Sequence, residues 1–236
     1  MTMSLPHPNS ASLEFPKPPS TEKKASNCAE TIAWLRTSIA TIYSAGRAAS
    51  SQDFPPTLAR SAYLDIYSTV HSFCMDAKQR HPAGGLLTGE DLYRGLKDDI
   101  KTHCSEVQAL LLAQRHSDDA DGARQIIGEY LAHWKMFARL AALVKNLMQP
   151  LERDWIARSI DERRKGILFI MELHTVVWKQ EILEGREDFT EAACGSNLEK
   201  ATKKLQAQGE NYSESDKDLV ERLVASLKSL GIGPGK

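Results

Sequence analysis

The sequence predicts an all-α fold, and three observations support this prediction. Apolar residues recur with a helical period of about 3.6 residues through most of the chain after residue 26. Short polar or glycine-containing stretches separate these segments, and none of them alternates between apolar and polar residues as a half-buried strand does. The periodic segments are also long, which is typical of a helical bundle or rod.

The N-terminal region is predicted to be a disordered tail. Residues 1–25 are rich in proline and serine and show no hydrophobic periodicity. Proline cannot continue a helix or donate a hydrogen bond to a sheet, and such a composition buries little apolar surface. We therefore expect the folded region to begin at about residue 26.

Five helices are predicted to form one bundle over residues 26–184. They cover residues 30–46, 54–79, 88–114, 123–149 and 161–183. Gly46 is expected to stop the first helix, and Thr88 with Asp91 forms a capping-box pattern at the start of the third. Pro150 is expected to end the fourth helix, because proline disrupts a helix interior.

Residues 185–236 are interpreted as a linker followed by two amphipathic helices. These helices are predicted at residues 198–208 and 213–233, with Ser215 as a cap and Gly231 as a stop. No further sequence is left to cover their apolar faces. We therefore expect this part of the chain to be less stable than the preceding bundle.

Composition narrows the classes of partner and location. The 236 residues include 30 Lys and Arg against 31 Asp and Glu, a formal charge of -1, which gives no reason to expect nucleic acid or a membrane surface as a partner. The four cysteines form no CxxC pair, which is typical of reduced thiols in an intracellular protein. With no signal peptide or long apolar run, we expect a cytoplasmic or nuclear protein.

The second helix has apolar residues on two faces. One face, expected to be buried, carries Tyr63, Ile66, Tyr67, Val70, Phe73 and Cys74. A different face carries Leu64, Ser68, His71 and Met75. Leu64 and Met75 can either widen the core face or contact a partner, and the helical pattern alone leaves both interpretations open.

The fifth helix repeats this excess of apolar residues. Its semi-polar strip, at a spacing of 3 and 4 residues, consists of Lys165, Leu168, Glu172, Thr175 and Lys179. Apolar residues occupy most of the remaining surface of the predicted helix, including the consecutive residues 167–171. The two helices thus offer faces that a single core does not need.

Several stretches resemble the N-terminal domain of a cullin, the scaffold of multisubunit ubiquitin ligases. The stretches are "AYLDIYSTVHSFC", "EDLYRGLKDDIKTH", "YLAHWKMF" and "DWIARSIDERRKGI", the last followed by "VVWKQEIL". The resemblance covers the first five-helix cullin repeat from Thr31 to Leu183, and continues more faintly from Leu198 to Ile232. Among cullins, the chain is most similar to the type that assembles Skp-type adaptors with F-box proteins.

The resemblance implies a non-catalytic scaffold without a cofactor, acting in ubiquitin-dependent protein catabolism. In that family the second and fifth helices together bind the adaptor and its F-box substrate receptor. The positions implied to contact this partner are Tyr63, Leu64, Tyr67, Ser68, His71 and Met75 in the second helix, and Leu168, Glu172 and Thr175 in the fifth. Tyr63 and Tyr67 match adaptor-facing tyrosines, and His71 stands where a third aromatic residue is common.

The chain also departs from the family pattern. Pro150 stands where the family usually has tyrosine in a "YLxR" motif, and Ile32 where tryptophan is usual. A full-length cullin continues through two more repeats and a C-terminal domain that holds a RING subunit. We therefore expect no RING partner for this chain, which would be either a short paralogue acting as a competitor or a fragment.

Two alternatives concern enzymes and interaction modules. The acidic residues Asp118, Asp119 and Asp121 could suggest catalysis, but no His or Ser motif accompanies them, so a solvated loop is the favoured interpretation. We assign no catalytic residue. A helical module of a tethering complex unrelated to ubiquitin shares the long-helix pattern and remains the alternative function.

A metal site is the third alternative. His71, Cys74, His103 and Cys104 would converge if the second and third helices packed antiparallel. Their spacing matches neither CxxC nor HxxxH, so ordinary core or surface positions are the favoured interpretation.

Overall fold

The computed structural model describes residues 13–19, 28–48, 57–79, 89–114, 116–184, 194–208 and 212–232. The helices are α1 (Cys28–Ala48), α2 (Arg60–Gln79), α3 (Gly89–Ala113), α4 (Ala120–Leu147), α5 (Gln149–Leu151), α6 (Ala157–Asp161), α7 (Ile170–Trp178), α8 (Cys194–Gln206) and α9 (Glu214–Ser229). Two π-helical segments, π1 (Glu152–Ile156) and π2 (Lys179–Glu184), follow α5 and α7. All regular structure in these ranges is helical, so the predicted class is confirmed. The Thr88 cap and residues 185–193 lie outside the described residues.

The core is built around α4, the longest helix of the described chain at 28 residues. Helix α1 packs against α2, α3 and α4, and α7 packs against α3 and α4. Five rings from α1, α3, α4 and α7 meet at the centre, and they belong to Tyr43, His103, Phe137, His174 and Trp178. Phe137 lies with its ring centroid 4.5 Å from that of Trp178 and 5.5 Å from that of His174. This aromatic group ties the four helices together.

Hydrogen bonds run through the same group. The Tyr43 hydroxyl lies 2.6 Å from His174 Nε2, and His174 Nδ1 lies 2.6 Å from the backbone oxygen of Ile170. A carbonyl only accepts, so Nδ1 carries the proton and Nε2 accepts from the tyrosine. His103 accepts through Nδ1 from Arg47, at 3.1 Å. These contacts assign one donor and one acceptor nitrogen to His174 and an acceptor Nδ1 to His103, as in neutral imidazoles.

Burial sets the titration of these two histidines. It lowers the pKa of His174 to about 4. It also lowers the pKa of His103 to about 3, with a smaller contribution from the neighbouring Arg47 guanidinium. Taking a charged imidazolium out of water is unfavourable, so the native state disfavours protonation at both sites.

The predicted boundaries around Pro150 are wrong in one respect. Helix α4 ends at Leu147, close to the expected stop, but helical structure resumes at once as α5, π1 and α6. Pro150 is the second residue of α5 and is buried. Proline is tolerated in the first turn of a helix because the N–H groups there have no intrahelical acceptor. The expectation that Pro150 only stops α4 is therefore wrong, because a further helical segment begins beside it.

The start of the predicted fifth helix is also wrong, because α7 begins at Ile170 rather than Asp161. Helix α6 ends in a Schellman motif, in which the Arg164 N–H donates to the Ser159 carbonyl and the Arg163 N–H to the Ile160 carbonyl. Arg163 adopts the left-handed conformation, with φ 56°, that glycine usually supplies at this position. With arginine there, the sequence carried no glycine stop signal at the end of α6.

Other local expectations are corrected as well. Gly46 does not stop α1, which continues to Ala48; it lies inside the helix, where a Cβ would come within 2.4 Å of Leu140 Cδ1. Ser213 rather than Ser215 caps α9, because its hydroxyl accepts from the Asp216 N–H. Gly231, with φ 72°, ends α9 in a second Schellman motif, as predicted.

The expectation that α8 and α9 leave their apolar faces uncovered is wrong. Both helices pack against α4, and α8 also contacts π2. Their buried residues include Leu198, Leu205, Val220 and Leu223, which join the same hydrophobic core as the preceding helices. Arg124 of α4 holds Asp216 of α9 through two hydrogen bonds, of 2.6 and 3.0 Å. Helix α4 thus buries the apolar faces of α8 and α9.

We expect the free energy of unfolding to fall as the pH is lowered from about 6.5 to about 4. In the unfolded chain both histidines bind protons near pH 6.5. His174, with a native pKa of about 4, and His103, with one of about 3, do not bind them in that range. Each histidine then contributes a slope of up to about 1.4 kcal/mol per pH unit. Urea unfolding at several pH values, followed by circular dichroism, measures this slope.

His174→Gln serves as the comparison for this prediction. It should lower the stability at pH 7, because a buried hydrogen-bond partner of Tyr43 is replaced by a poorer one. It should also make the slope between pH 6.5 and 4 shallower, since one group that binds a proton in the unfolded chain but not in the native state is gone. A slope identical to that of the wild-type chain would contradict the assignment.

Candidate functional site

Helix α2 has a buried face and an exposed apolar face. Ile66 and Val70 are fully buried in the core. On the other side, Leu64 is 51% exposed and Met75 is 39% exposed. The interpretation of these two residues as a wider core face therefore does not hold in this structure. Large exposed apolar side chains arranged along one helix are typical of an interaction surface.

The predicted partner-contacting residues of α2 form one stripe. Leu64, Ser68, His71 and Met75 follow a spacing of four, three and four residues, which places them on one side of a helix. Ser68 is exposed and His71 is half-buried. We name these four residues the α2 stripe. It has apolar ends and a polar middle.

Tyr63 and Tyr67 lie at the edge between the two faces. Both are half-buried, and their rings stack with centroids 6.3 Å apart and an interplanar angle of 10°. The Tyr67 hydroxyl donates to the Gln149 Oε1 of α5, at 3.0 Å. The first residue of α5 therefore supports the tyrosine pair directly.

The predicted residues of the fifth helix are only partly on a helix. Lys165 and Leu168 precede α7, so the proposed strip through Lys165, Leu168, Glu172, Thr175 and Lys179 does not exist as one helical stripe. Leu168 is half-buried, and its N–H donates to the Tyr93 hydroxyl at 2.9 Å. Ile167 packs against the core beside it. Part of the apolar run is thus covered by the chain itself, in a loop rather than a helix.

Side chains satisfy the first N–H groups of α7. The Phe169 N–H donates to Glu172 Oε2 at 3.3 Å, and the Ile170 N–H to Glu152 Oε2 at 3.0 Å. The first N–H groups of a helix have no intrahelical acceptor, so these carboxylates cap it. Glu172 is exposed, yet its side chain is engaged in its own helix. Thr175 likewise donates to the Met171 carbonyl of its own helix, at 3.0 Å.

One segment connects the two groups of predicted residues. Helix α2 packs against α1, α4 and α5, whereas α7 packs against α3 and α4. Gln149 binds Tyr67 of α2, and three residues later Glu152 binds the first residue of α7. We name residues 149–152 the bridge segment. It fixes the tyrosine pair and the start of α7 relative to each other.

Phe169 is an exposed residue that the sequence analysis did not select. It is 40% exposed and lies immediately before α7. In the sequence it is one of several consecutive apolar residues, and nothing in that run marks it as the one left outside the core. Its exposure follows from the loop that precedes α7.

The acidic residues considered for catalysis have structural roles. Asp119 caps α4 by accepting from the Gly122 N–H at 2.8 Å, and the hydrogen bonds from Ser117 and Gly122 lower the pKa of its carboxyl. Asp121 pairs with Arg124, and Asp118 pairs with Lys204.

The residues considered for a metal site have other surroundings. His103 accepts from Arg47, and burial raises the pKa of the Cys104 thiol well above its usual value. In the described part of the chain, no group of three or more His, Cys, Asp or Glu residues could hold a metal ion. Within the same part, no helix is both long enough and apolar enough to cross a membrane.

Tyr93→Phe tests the capping at the start of α7. The change removes the hydroxyl that accepts from the Leu168 N–H, so we expect a loss of about 1 kcal/mol in the free energy of unfolding. Amide hydrogen exchange at residues 168–170 should become faster. Tyr67→Phe is the matched control, because it removes a hydroxyl bonded to Gln149 instead. Equal exchange at residues 168–170 in the wild-type chain, Tyr93→Phe and Tyr67→Phe would contradict the capping role.

Comparisons with known proteins agree with this architecture. The cullin α-solenoid domain model matches residues 35–235. A cullin-1 of Dictyostelium discoideum is 25% identical over 130 residues, which is 51% of this chain and 16% of that protein. A cullin-1 of Caenorhabditis elegans is 21% identical over 148 residues, 56% of this chain and 18% of that protein. A cullin-6 of the same organism is 19% identical over 129 residues, 54% of this chain and 17% of that protein.

The relatives named cullin-1 are matched over less than a fifth of their own length. The family match, in contrast, runs through α1 to α9 and includes both the aromatic core and the α2 stripe. Since that match covers most of the 236 residues, the chain belongs to the cullin family of scaffold proteins.

Proposed function

We propose that this chain is the adaptor-binding part of a cullin-type ubiquitin ligase scaffold, which holds a Skp-type adaptor and, through it, an F-box substrate receptor. The observation that carries the proposal is the exposed apolar stripe of α2, with Leu64 51% exposed and Met75 39% exposed. The likeness to cullin-1 proteins supports an adaptor of the Skp type. The alternative of a tethering module unrelated to ubiquitin loses its support, because the chain belongs to the cullin family.

The α2 stripe has the chemistry of a protein interface. Full burial of an exposed leucine or methionine side chain contributes about 1.5 to 3 kcal/mol. The adjacent Tyr63 and Tyr67 offer amphipathic rings of the kind that dominate interface energetics. Stacking and the Gln149 hydrogen bond hold the pair in place before a partner arrives, so little side-chain entropy is lost on binding.

The start of α7 is the second contact that we propose. Phe169 is exposed at this point. The bridge segment holds the start of α7 in place relative to α2. We therefore add Phe169 to the proposed contact residues Glu172 and Thr175. Leu168 contributes mainly by fixing the loop, because it is half-buried and its N–H is bound to Tyr93.

A scaffold role requires binding rather than chemistry. The family is generally non-catalytic, and the chain's formal charge of -1 favours recognition by shape over charge.

The proposal places the protein in the cytoplasm or nucleus. In the described residues, Cys28, Cys74, Cys104 and Cys194 form no disulfide, which is typical of proteins in such a location.

Leu64→Asp and His71→Asp test the α2 stripe. Each places a carboxylate in the proposed interface, where an unpaired buried charge is costly, so we expect adaptor affinity to fall at least about tenfold. Leu110→Asp on α3 is the matched control, because Leu110 is 45% exposed and lies outside the proposed surface. Affinities for a purified Skp-type adaptor bound to an F-box protein are measured by calorimetry, and circular dichroism checks the fold. Wild-type affinity in both stripe variants would remove this surface from consideration.

A competition assay tests the function as a whole. Added in excess to a ligase reconstituted with a full-length cullin, the 236-residue chain should reduce substrate ubiquitination. Extra adaptor should restore it, since the two scaffolds would share one binding partner by mass action. The Leu64→Asp chain should compete poorly. Undiminished ubiquitination despite measured adaptor binding would place the contact on a different face.

A further inference from the structure

A short N-terminal segment lies against the helices. Residues 13–19, which we name the arm, are not helical. Leu13 and Phe15 are half-buried and pack against the hydrophobic core, whereas Glu14 and Lys17 are exposed. This alternation shows that one side of the arm faces the folded helices. The proline and serine content of residues 1–25 gives no sign of such a contact.

Trp34 of α1 makes the polar contact with the arm. Its indole Nε1–H donates to the Pro16 carbonyl at 3.0 Å. Trp34 is only 8% exposed with the arm in place, so moving the arm away would leave its indole N–H to bond water instead of the Pro16 carbonyl. The contact thus combines an apolar anchor, Phe15, with one directed hydrogen bond next to it.

The arm has the properties of a bound peptide. Pro16, Pro18 and Pro19 restrict its backbone, so ordering it loses less entropy than ordering an average chain. Among the described residues, no backbone-to-backbone hydrogen bond joins it to a helix. Aromatic side chains that hold an extended proline-containing segment, with its carbonyls free to accept, are a recurring mode of peptide recognition.

We infer that α1 carries a peptide-binding site centred on Trp34, which takes an extended segment with apolar residues ahead of a proline, and that the arm is its intramolecular occupant. The site lies on α1, so the inference goes beyond the adaptor contact proposed for α2 and α7. The occupant is recognised through Leu13, Phe15 and the Pro16 carbonyl, and a peptide with the same three features binds in its place.

Tethering explains why such a small contact is occupied. Eight residues, 20–27, separate the arm from the start of α1. A tether of this length holds a ligand at an effective concentration of the order of 1 mM. A separate peptide therefore binds readily only where the arm has been displaced, and competes with the intact arm only at millimolar concentration.

The test uses the full chain and the indole N–H resonance of Trp34, identified in nuclear magnetic resonance spectra by its loss in Trp34→Phe. Phe15→Asp should displace the arm and make exchange of this N–H with water at least about tenfold faster. Lys17→Asp, a change of an exposed residue in the same arm, is the matched control and should leave exchange unchanged. Circular dichroism verifies that the helices are intact in each variant.

A synthetic peptide of sequence LEFPKPP is then added to the Phe15→Asp chain. It should restore slow exchange saturably, and a scrambled peptide of the same composition should not. Unchanged exchange in Phe15→Asp, or no restoration at millimolar peptide, would overturn the inference and leave the arm as a fixed part of the fold. Should Phe15→Asp lose its helical spectrum, a peptide with 4-fluorophenylalanine at the Phe15 position is added to the wild-type chain. A saturable shift of its fluorine resonance supports the site, and no shift at millimolar concentration overturns it.

Discussion

The start of α7 is the constraint on which the rest of the architecture depends. A helix backbone cannot satisfy its own first N–H groups. Here the N–H groups of three successive residues, two just before α7 and the first of α7, find side-chain acceptors. The Leu168 N–H donates to Tyr93 of α3, the Phe169 N–H to Glu172, and the Ile170 N–H to Glu152 of π1. Helix α7 is therefore held at its beginning by two other parts of the chain.

The start of α7 also links the proposed adaptor surface to the buried aromatic group. Ile170 donates its N–H to Glu152, and its carbonyl accepts from His174, which in turn accepts from Tyr43 of α1. Three residues before Glu152, Gln149 holds Tyr67 at the edge of the α2 stripe. A continuous set of hydrogen bonds and covalent links thus runs from the buried aromatic group to the proposed adaptor surface. This arrangement explains how a scaffold can present two separate elements in a fixed geometry.

The helical pattern predicted the all-α class, the two faces of α2 and the Gly231 stop, because each depends on local periodicity or a local residue preference. It failed between Pro150 and Ile170, where local signals were misleading. Pro150 opens a helix as well as following one, and Arg163 occupies a left-handed position usually held by glycine. The acceptors that fix α7 lie up to 75 residues away, so no local pattern contains them. The contact residues remain a prediction, supported by exposure for Leu64 and Met75.

The apolar residues that the helix cores do not need occupy several kinds of position in the fold. Ile167 and Leu168 pack against the core from a loop, and Phe15 of the arm packs on it from the N-terminal side. Leu64, Met75 and Phe169 stay exposed. An apolar residue off the predicted core face is therefore not by itself a sign of a partner, because loops and arms of the same chain can cover it. Leu110 and Leu112 of α3 are exposed as well. What singles out the α2 stripe is that its exposed apolar ends lie on the helix whose Tyr67 the bridge segment holds in place.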